Sequence, residues 1–306
     1  MNKHTIHSLL ALSIIFLIGS QFTFCNGIST LWGVNPSDTF DYDLNYVNIA
    51  YSFPFENYTS TGILFDNSTI IEQGNTITMN VNEVNTTTIN YNLTYNSFDE
   101  KIIRSLTEIE TRLSNLMQLP LKIGLREYNL TDIKRGFTGI DYTVVPNIND
   151  TWSFFETLSS PIYVLAMEEI FSSQAIVSLE ALTELNFTTN DCIFEWFANG
   201  TYNDSTQNTT FDFCYNLKMA YQISTGLLLG MRTDLLINGN EENSSSSILI
   251  KSEVVKQGYS LADFKLPTGV DFNLDDWLSN ILPGYLWVSV PITLILILHI
   301  RKKDRK

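Results

Sequence analysis

Tyr215-Asn-Leu-Lys-Met-Ala-Tyr-Gln-Ile-Ser-Thr-Gly-Leu-Leu-Leu-Gly-Met-Arg-Thr-Asp-Leu-Leu-Ile237 reads as two strands folded back on a turn. Tyr215, Leu217, Met219 and Tyr221 recur at every second position, the period of a strand with one buried face. Ser224, Thr225 and Gly226 then break the pattern, and Leu227 to Ile237 returns as the partner strand. Asn238, Gly239 and Asn240 tolerate positive φ and predict a second turn, after which Ile248 to Val255 supplies a further strand. The same alternation occurs near the N-terminus, in Tyr42, Leu44, Tyr46, Val47 and Ile49 and again in Ile77, Met79, Val81 and Val84. Ser60, Thr61, Gly62, Ile63 and Leu64, after Tyr58, echo the Ser224 to Leu228 turn, as shared hairpin chemistry would produce.

Helical sequence separates the two β regions. Ser97 and Glu100 have capping-box spacing, and Ile102, Leu106, Ile109, Leu113 and Leu116 step by four and three until Pro120. A second helix is expected from Asp150 through Trp152, Phe155 and Leu158 to Pro161. A third is expected from Ile162 to Leu185, with Met167, Ile170, Phe171, Ile176, Leu179 and Leu182 as its apolar positions. Strands, helices and strands in succession predict an α+β fold. Its expected form is a curved antiparallel β-sheet packed with helices from the middle of the chain, plus a C-terminal transmembrane helix.

That last helix is read from residues 281–300, which carry no charge apart from His299 at their edge. At about 1.5 Å per residue, such a run crosses the roughly 30 Å hydrocarbon core of a bilayer. Pro291 is the residue expected to kink it, and Trp277, Tyr285 and Trp287 suit the outer interfacial belt. The basic tail 301–306, with Arg301, Lys302, Lys303, Arg305 and Lys306 against Asp304, belongs on the cytoplasmic side, where it meets membrane lipid. At the other end, Lys3 precedes an apolar run from Leu9 to Ile18 too short to span, so 1–27 reads as a secretory signal. Cleavage falls after Gly27 or a few residues earlier, an uncleaved N-terminal anchor being the alternative. The domain 28–256 is then external, one unit or two smaller ones. It is joined to the plasma membrane by a wet juxtamembrane stalk, 257–280, broken by Gly258, Pro267 and Gly269 and carrying Asp271, Asp275 and Asp276.

The external part is acidic. Of 18 Lys and Arg, Lys3 and the five tail cations lie outside residues 28–280, leaving 12, whereas 32 of the 33 acids lie inside. No cation occurs between Arg135 and Lys218. Nucleic acid is therefore excluded as a partner, since its phosphates require clustered Lys or Arg. Asp38, Asp41 and Asp43 form no ordered calcium motif, and no metal site is expected. Eleven N-x-Ser/Thr acceptors fall in the external part: Asn57, Asn67, Asn85, Asn92, Asn129, Asn149, Asn186, Asn199, Asn203, Asn208 and Asn243. Cys25 leaves with the signal, and the remaining Cys192 and Cys214 are expected to pair in an oxidising compartment. Their bridge would close a loop of about 20 residues and contribute roughly 3 kcal/mol.

Catalytic signatures are absent from the sequence. His4, His7 and His299 lie in the targeting and anchoring segments, so no imidazole is left for hydrolytic triads or metal ligation. No phosphate loop or dinucleotide fingerprint occurs, and no cofactor is expected. Paired carboxylates remain by residue type: Glu168 with Glu169, Glu180 with Glu184, and Glu195 with Asp212. Such acids are ordinarily solvated, and no catalytic pair is assigned. Phe154, Phe155, Phe171, Phe194, Trp196 and Phe197 have the ordinary reading of core, the alternative being the lining of an apolar cavity. Trp32 and Trp196 are candidates for exposed polysaccharide or protein contacts.

Leu31, Trp32, Gly33 and Val34 lead to Asp38, Thr39, Phe40, Asp41 and Tyr42, Val145 and Pro146 are followed by Trp152, and Tyr221 precedes Thr225, Gly226, Leu227 and Leu228. In these words the chain resembles archaeal surface proteins of the choice-of-anchor kind, whose similar ectodomains end in differing membrane anchors. The tyrosine, Thr-Gly and leucine hairpin is also similar to one in half-barrel lipoprotein carriers. Neither resemblance supplies catalytic residues. The expected function is a single-pass type I cell-surface glycoprotein, a binding or interaction module for an unknown extracellular ligand and not an enzyme. A membrane-tethered carrier of a lipid or other apolar ligand is the first alternative, and a carboxylate-based carbohydrate-active enzyme the second.

Overall fold

The computed structural model describes residues 31–268, apart from 54, 66–67, 126, 128–129, 139–142, 173–175, 206–207 and 242–243. The expected signal, transmembrane span and basic tail lie outside the described residues. Among those described, no helix is long and apolar enough to cross a membrane.

Among the described residues seven strands come first: β1 (Thr39–Phe53), β2 (Glu56–Ser60), β3 (Gly62–Leu64), β4 (Ile70–Glu72), β5 (Thr76–Val84), β6 (Thr88–Tyr95) and β7 (Phe98–Ser105). Five helices follow: α1 (Leu106–Met117), α2 (Leu119–Gly124), α3 (Leu130–Lys134), α4 (Asn149–Leu158) and α5 (Pro161–Ser172). Five long strands close the fold: β8 (Ile176–Phe187), β9 (Asp191–Asp204), β10 (Thr209–Gln222), β11 (Leu228–Glu241) and β12 (Ser244–Lys256). The architecture is mostly antiparallel sheet, with its helices drawn from the middle of the chain as the sequence predicts.

The main sheet is open and has 10 strands in the order β7-β6-β5-β1-β12-β11-β10-β9-β8, with β2 added to β1. β1 joins the early strands of the sheet to the late ones. One edge pairs β12, from Tyr42 opposite Lys256 to Ser52 opposite Ser247. Its other edge is shared, Thr39 to Asp43 pairing β5 and Ile49 to Phe53 pairing β2, on either side of an irregularity at Leu44 and Tyr46. The predicted hairpin forms as β10 and β11, in register from Thr209 opposite Glu241 to Tyr221 opposite Leu228. Its Tyr215, Leu217, Met219 and Tyr221 belong to one core with Phe194 and Trp196 of β9, Phe155 of α4 and Met167 and Phe171 of α5.

Several boundaries differ from the sequence reading. Ile102 belongs to β7, and α1 starts four residues later, at Leu106, under a capping box made by Ser105 and Glu108 rather than Ser97 and Glu100. A spacing of four satisfies both the 3.6-residue and the two-residue period, so Ile102 and Leu106 do not by themselves separate strand from helix. The helix expected from Ile162 to Leu185 ends at Ser172, and Ile176, Leu179 and Leu182 stand on β8, whose backbone pairs β9. Asn238, Gly239 and Asn240 do not turn; they continue β11, opposite Asp212, Phe211 and Thr210. Gly62 lies on β3 opposite Glu72, so its resemblance to the Gly226 turn is one of wording and not of geometry.

Candidate functional site

The three separated sequence words that carried the resemblance meet at one corner of the sheet. Gly226 turns the β10–β11 hairpin with φ +67°, and a Cβ there would stand 2.0 Å from Val145 O. Val145 N–H donates to Gly226 O at 2.8 Å, and Leu228 N–H donates to Thr143 O at 2.8 Å, so residues 143–145 line the turn as a short extra rung. On the other side Gly33 approaches so closely that its Cβ would lie 2.4 Å from Thr225 Cα. Asn147 ties both neighbours, its N–H donating to Leu31 O at 2.7 Å and its carboxamide to Ser224 O at 2.6 Å. Tyr42 reaches the same turn, donating to Leu228 O at 3.0 Å, and burial holds its phenol pKa well above the usual range. Within the turn the Thr225 hydroxyl donates to Gln222 Oε1 at 2.9 Å and accepts from Leu227 N–H at 3.2 Å. The corner fastens the chain.

The predicted site residues are redistributed. Trp32 and Trp196 are fully buried, which removes both as exposed contacts. Phe155 packs 5.8 Å from Phe194 and 5.7 Å from Tyr221, as core, whereas Phe197 points to the opposite face of β9. Cys192 and Cys214 form no disulfide. They sit on neighbouring strands, but Cys192 is opposite Tyr221 and Cys214 opposite Asn199. Seven register steps amount to roughly 24 Å, and an odd offset puts the two on opposite faces, far beyond the reach of about 7 Å that a bridge allows. Burial pushes the Cys192 thiol up to about 12.

Glu195 and Asp212 are six register steps apart, and the members of the other named pairs find different partners or none that is shared. Glu184 binds Lys265 at 2.6 Å, Asp212 accepts from Thr201 at 2.6 Å, and Glu195 pairs with Lys218 at 2.8 Å. Instead α5 brings Glu168 beside Glu180 of β8. Burial raises both carboxyls, repulsion from Glu168 raises Glu180 further, and the Ala181 N–H pulls Glu168 back. Asp38, Asp41 and Asp43 each accept a local hydrogen bond at 2.7 Å, from Asn35 N–H, Thr78 and Thr76. Among the described residues no group of three potential metal ligands occurs.

Residues 257–266, expected to open the stalk, instead strap the outer face of β9 to β12. Leu261 and Leu266 are buried, and Leu261 packs with Ala220, Leu229 and Val255. Beneath them Glu195 and Lys218 form an ion pair with both side chains 1 % exposed. Glu195 Oε2 accepts the N–H groups of Lys265 at 2.8 Å and Leu266 at 3.1 Å, and Lys218 donates to Asp263 O at 2.7 Å. Both charges are therefore engaged by the chain itself.

The open chemistry lies at the far end of β1, on the hairpin to β2. Tyr51 and Tyr58 stack at 5.3 Å, Phe53 lies 5.5 Å from Tyr51, and Phe55 stacks on Phe53 at 6.0 Å. Lys134 of α3 covers this ladder from 4.8 Å above the Tyr58 ring and binds Glu56 at 3.2 Å. The Tyr51 hydroxyl donates to Glu56 at 2.5 Å and, with Lys134, holds that carboxyl below its usual range. The ladder is thus ordered, and at its tip Phe55 is 76 % exposed. Sequence reading missed it because Phe53 and Phe55 look like any strand residues; the Phe-Pro-Phe step into Glu56 was the available signal.

The acceptor asparagines share one property. Asn57, Asn85, Asn149, Asn199, Asn203 and Asn208 are exposed and Asn92 and Asn186 half-buried, so none of the described eight is in the core. Asn67, Asn129 and Asn243 lie outside the described residues. No family model, curated protein or solved structure matches this chain.

Proposed function

We propose that this chain is a type I, single-pass cell-surface glycoprotein whose sheet domain is an interaction module. The observation that supports it most is that six of the eight described acceptor asparagines are exposed and none is in the core. On this reading the open sheet curves around its helices, the strap 257–266 leads into a short stalk, and residues 281–300 span the membrane. The fastened corner makes the domain rigid, and the β1–β2 tip carries the accessible aromatic chemistry. Protease added to intact cells should remove the domain while an epitope on the 301–306 tail stays cell-associated. A domain untouched by protease until the cells are lysed sinks this reading.

A carrier of apolar ligand is the second reading. The observation that bears on it is the buried indole N–H groups of Trp32 and Trp196, which have no hydrogen-bond partner and would suit a largely apolar ligand that carries an acceptor atom. Native mass spectrometry before and after denaturation distinguishes the two. A released hydrophobic molecule supports the carrier, and an empty glycosylated chain supports the interaction module.

A further inference from the structure

Strand register sets five side chains in a line across the outer face of the sheet. Asn199 of β9 is opposite Cys214 of β10, Cys214 is opposite Leu236 of β11, Leu236 is opposite Leu249 of β12, and Leu249 is opposite Ala50 of β1. All five point away from the core, because their chain neighbours Ala198, Tyr215, Leu235, Ile250 and Ile49 belong to it. Asn199 is exposed, Leu236 is 37 % exposed, and Cys214, Leu249 and Ala50 are half-buried. From Cys214 to Ala50 the line is an apolar stripe about 14 Å long. On β9 and β10 the preceding line is still dry, Phe197 and Asn216 standing opposite each other and buried. The line of Asn199 comes next, and in it Asn199 and Leu236 reach water.

Asn199, Gly200 and Thr201 make an N-x-Thr acceptor at the β9 end of this line. We propose that Asn199 carries an N-linked glycan that lies along the stripe, over Cys214 and Leu236. This rests on the surface-glycoprotein reading above. Side chains directly opposite on neighbouring strands stand about 5 Å apart, so the sugar is tethered beside Cys214 and on the same face. Wet apolar surface is unfavourable in proportion to its area, and a pyranose turns C–H groups to such a surface while its hydroxyls stay in water. Two further acceptors point out of the same face, Asn57 opposite Ser52 and Asn203 opposite Thr210, and their hydrated sugars would oppose the stacking of a second copy there.

The attachment needs a membrane-borne oligosaccharide phosphate as donor. Asn199 Nδ2 bonds to the anomeric carbon, the anomeric carbon–oxygen bond to phosphate breaks, phosphate leaves with the electron pair, and the amide gives up one proton. Nothing is oxidised or reduced.

Cys214 reports whether the stripe is covered. The test is site-resolved glycopeptide mass spectrometry of the full chain from a glycosylating host, with the rate at which a thiol reagent labels Cys214 in the folded protein read by the same spectrometry. Asn199 should be occupied. Asn199→Gln and Thr201→Ala abolish the acceptor by different routes, and each should speed the labelling by on the order of tenfold. Asn149→Gln, at the start of α4 on the core side of the sheet, should leave the rate unchanged. In chain made without glycosylation Cys214 should label at the fast rate in all of these variants. Equal rates with and without the Asn199 sugar, the same acceleration in unglycosylated chain, or a slow rate that depends on protein concentration, as cover by a second copy would give, overturns the inference and leaves the surface-glycoprotein reading intact. A bare Asn199 beside occupied sequons elsewhere does the same. Sugar at no sequon overturns both.

Discussion

The two halves of the sheet treat their outer face differently. On β5 and β6 burial alternates strictly, Ile77, Met79 and Val81 and then Ile89, Tyr91 and Leu93 facing the core while the residues between them stay at least partly in water. On β10 every residue from Tyr215 to Tyr221 is buried, because the strap 257–266 lies over the second face. A face that is wet tolerates any polar residue. A face that becomes dry requires each polar group to be answered, and the Glu195–Lys218 pair with its strap amides is that answer.

The sharpest way to break this contrast is to remove one partner of the pair. Glu195→Gln or Lys218→Met should destabilise by about 3–5 kcal/mol, since the remaining charge is left buried and unpaired. The double replacement Glu195→Leu with Lys218→Met should recover most of that loss. On the open half, Thr78→Ala, which deletes a hydroxyl bonded to Asp41, should cost no more than about 1 kcal/mol. Urea unfolding followed by tryptophan fluorescence compares all of these. Equal costs on both halves would remove the strap as the explanation.

The corner supplies the next largest effect. Gly226→Ala places a methyl group against Val145 O and forces a left-handed φ on a residue with a side chain, for about 2–4 kcal/mol in all. The same urea measurement checks it, and a loss below about 0.5 kcal/mol would mean that the turn shifts freely.

Cys192 and Cys214 test the two faces directly. In chain made without glycosylation, a thiol reagent should label half-buried Cys214 in the folded state and reach Cys192 only on unfolding. Cys192 keeps its proton to about 12 when folded, against 9.0 for an ordinary thiol. Its contribution to stability is therefore complete below pH 9 and falls as pH rises from about 9 to about 12, because the unfolded thiol ionises first. Cys192→Ala should flatten that part of the pH–stability curve. A mass shift showing both cysteines oxidised to one disulfide would contradict the register of β9 and β10.

The smallest effect belongs to Glu168 and Glu180. Both carboxyls are raised in the folded chain, so the pair favours the native state at acid pH and loses that contribution as pH rises through their folded values. Glu180→Gln should make stability less dependent on pH in the range just above the ordinary carboxylate value. An unchanged slope in that range would mean that the two acids do not sense each other.

Much of the sheet was legible because its period is local. Tyr42 and Leu44, Ile77 to Val81 and Tyr215 to Tyr221 alternate in the sequence and alternate in space. Helix limits were less so, since Ile102 fits both periods and the apolar residues of β8 step by three. The eleven acceptors were legible as a motif, but the line that sets Asn199 beside Cys214 was not. The acids were legible by type and misleading as pairs, because Glu195 and Asp212 sit six register steps apart while Glu168 and Glu180 come from different elements.

What the sequence determines by itself is strand parity, the main hairpin, the order of strands and helices, and where a sugar is chemically permitted. The tertiary structure alone decides that 257–266 covers the sheet, that Glu195 and Lys218 share a dry site, that the cysteines face apart and that Asn199 stands beside Cys214. The reason is that side-chain alternation follows from the backbone of neighbouring residues. Whether a face is dry depends on chain that arrives from far along the sequence.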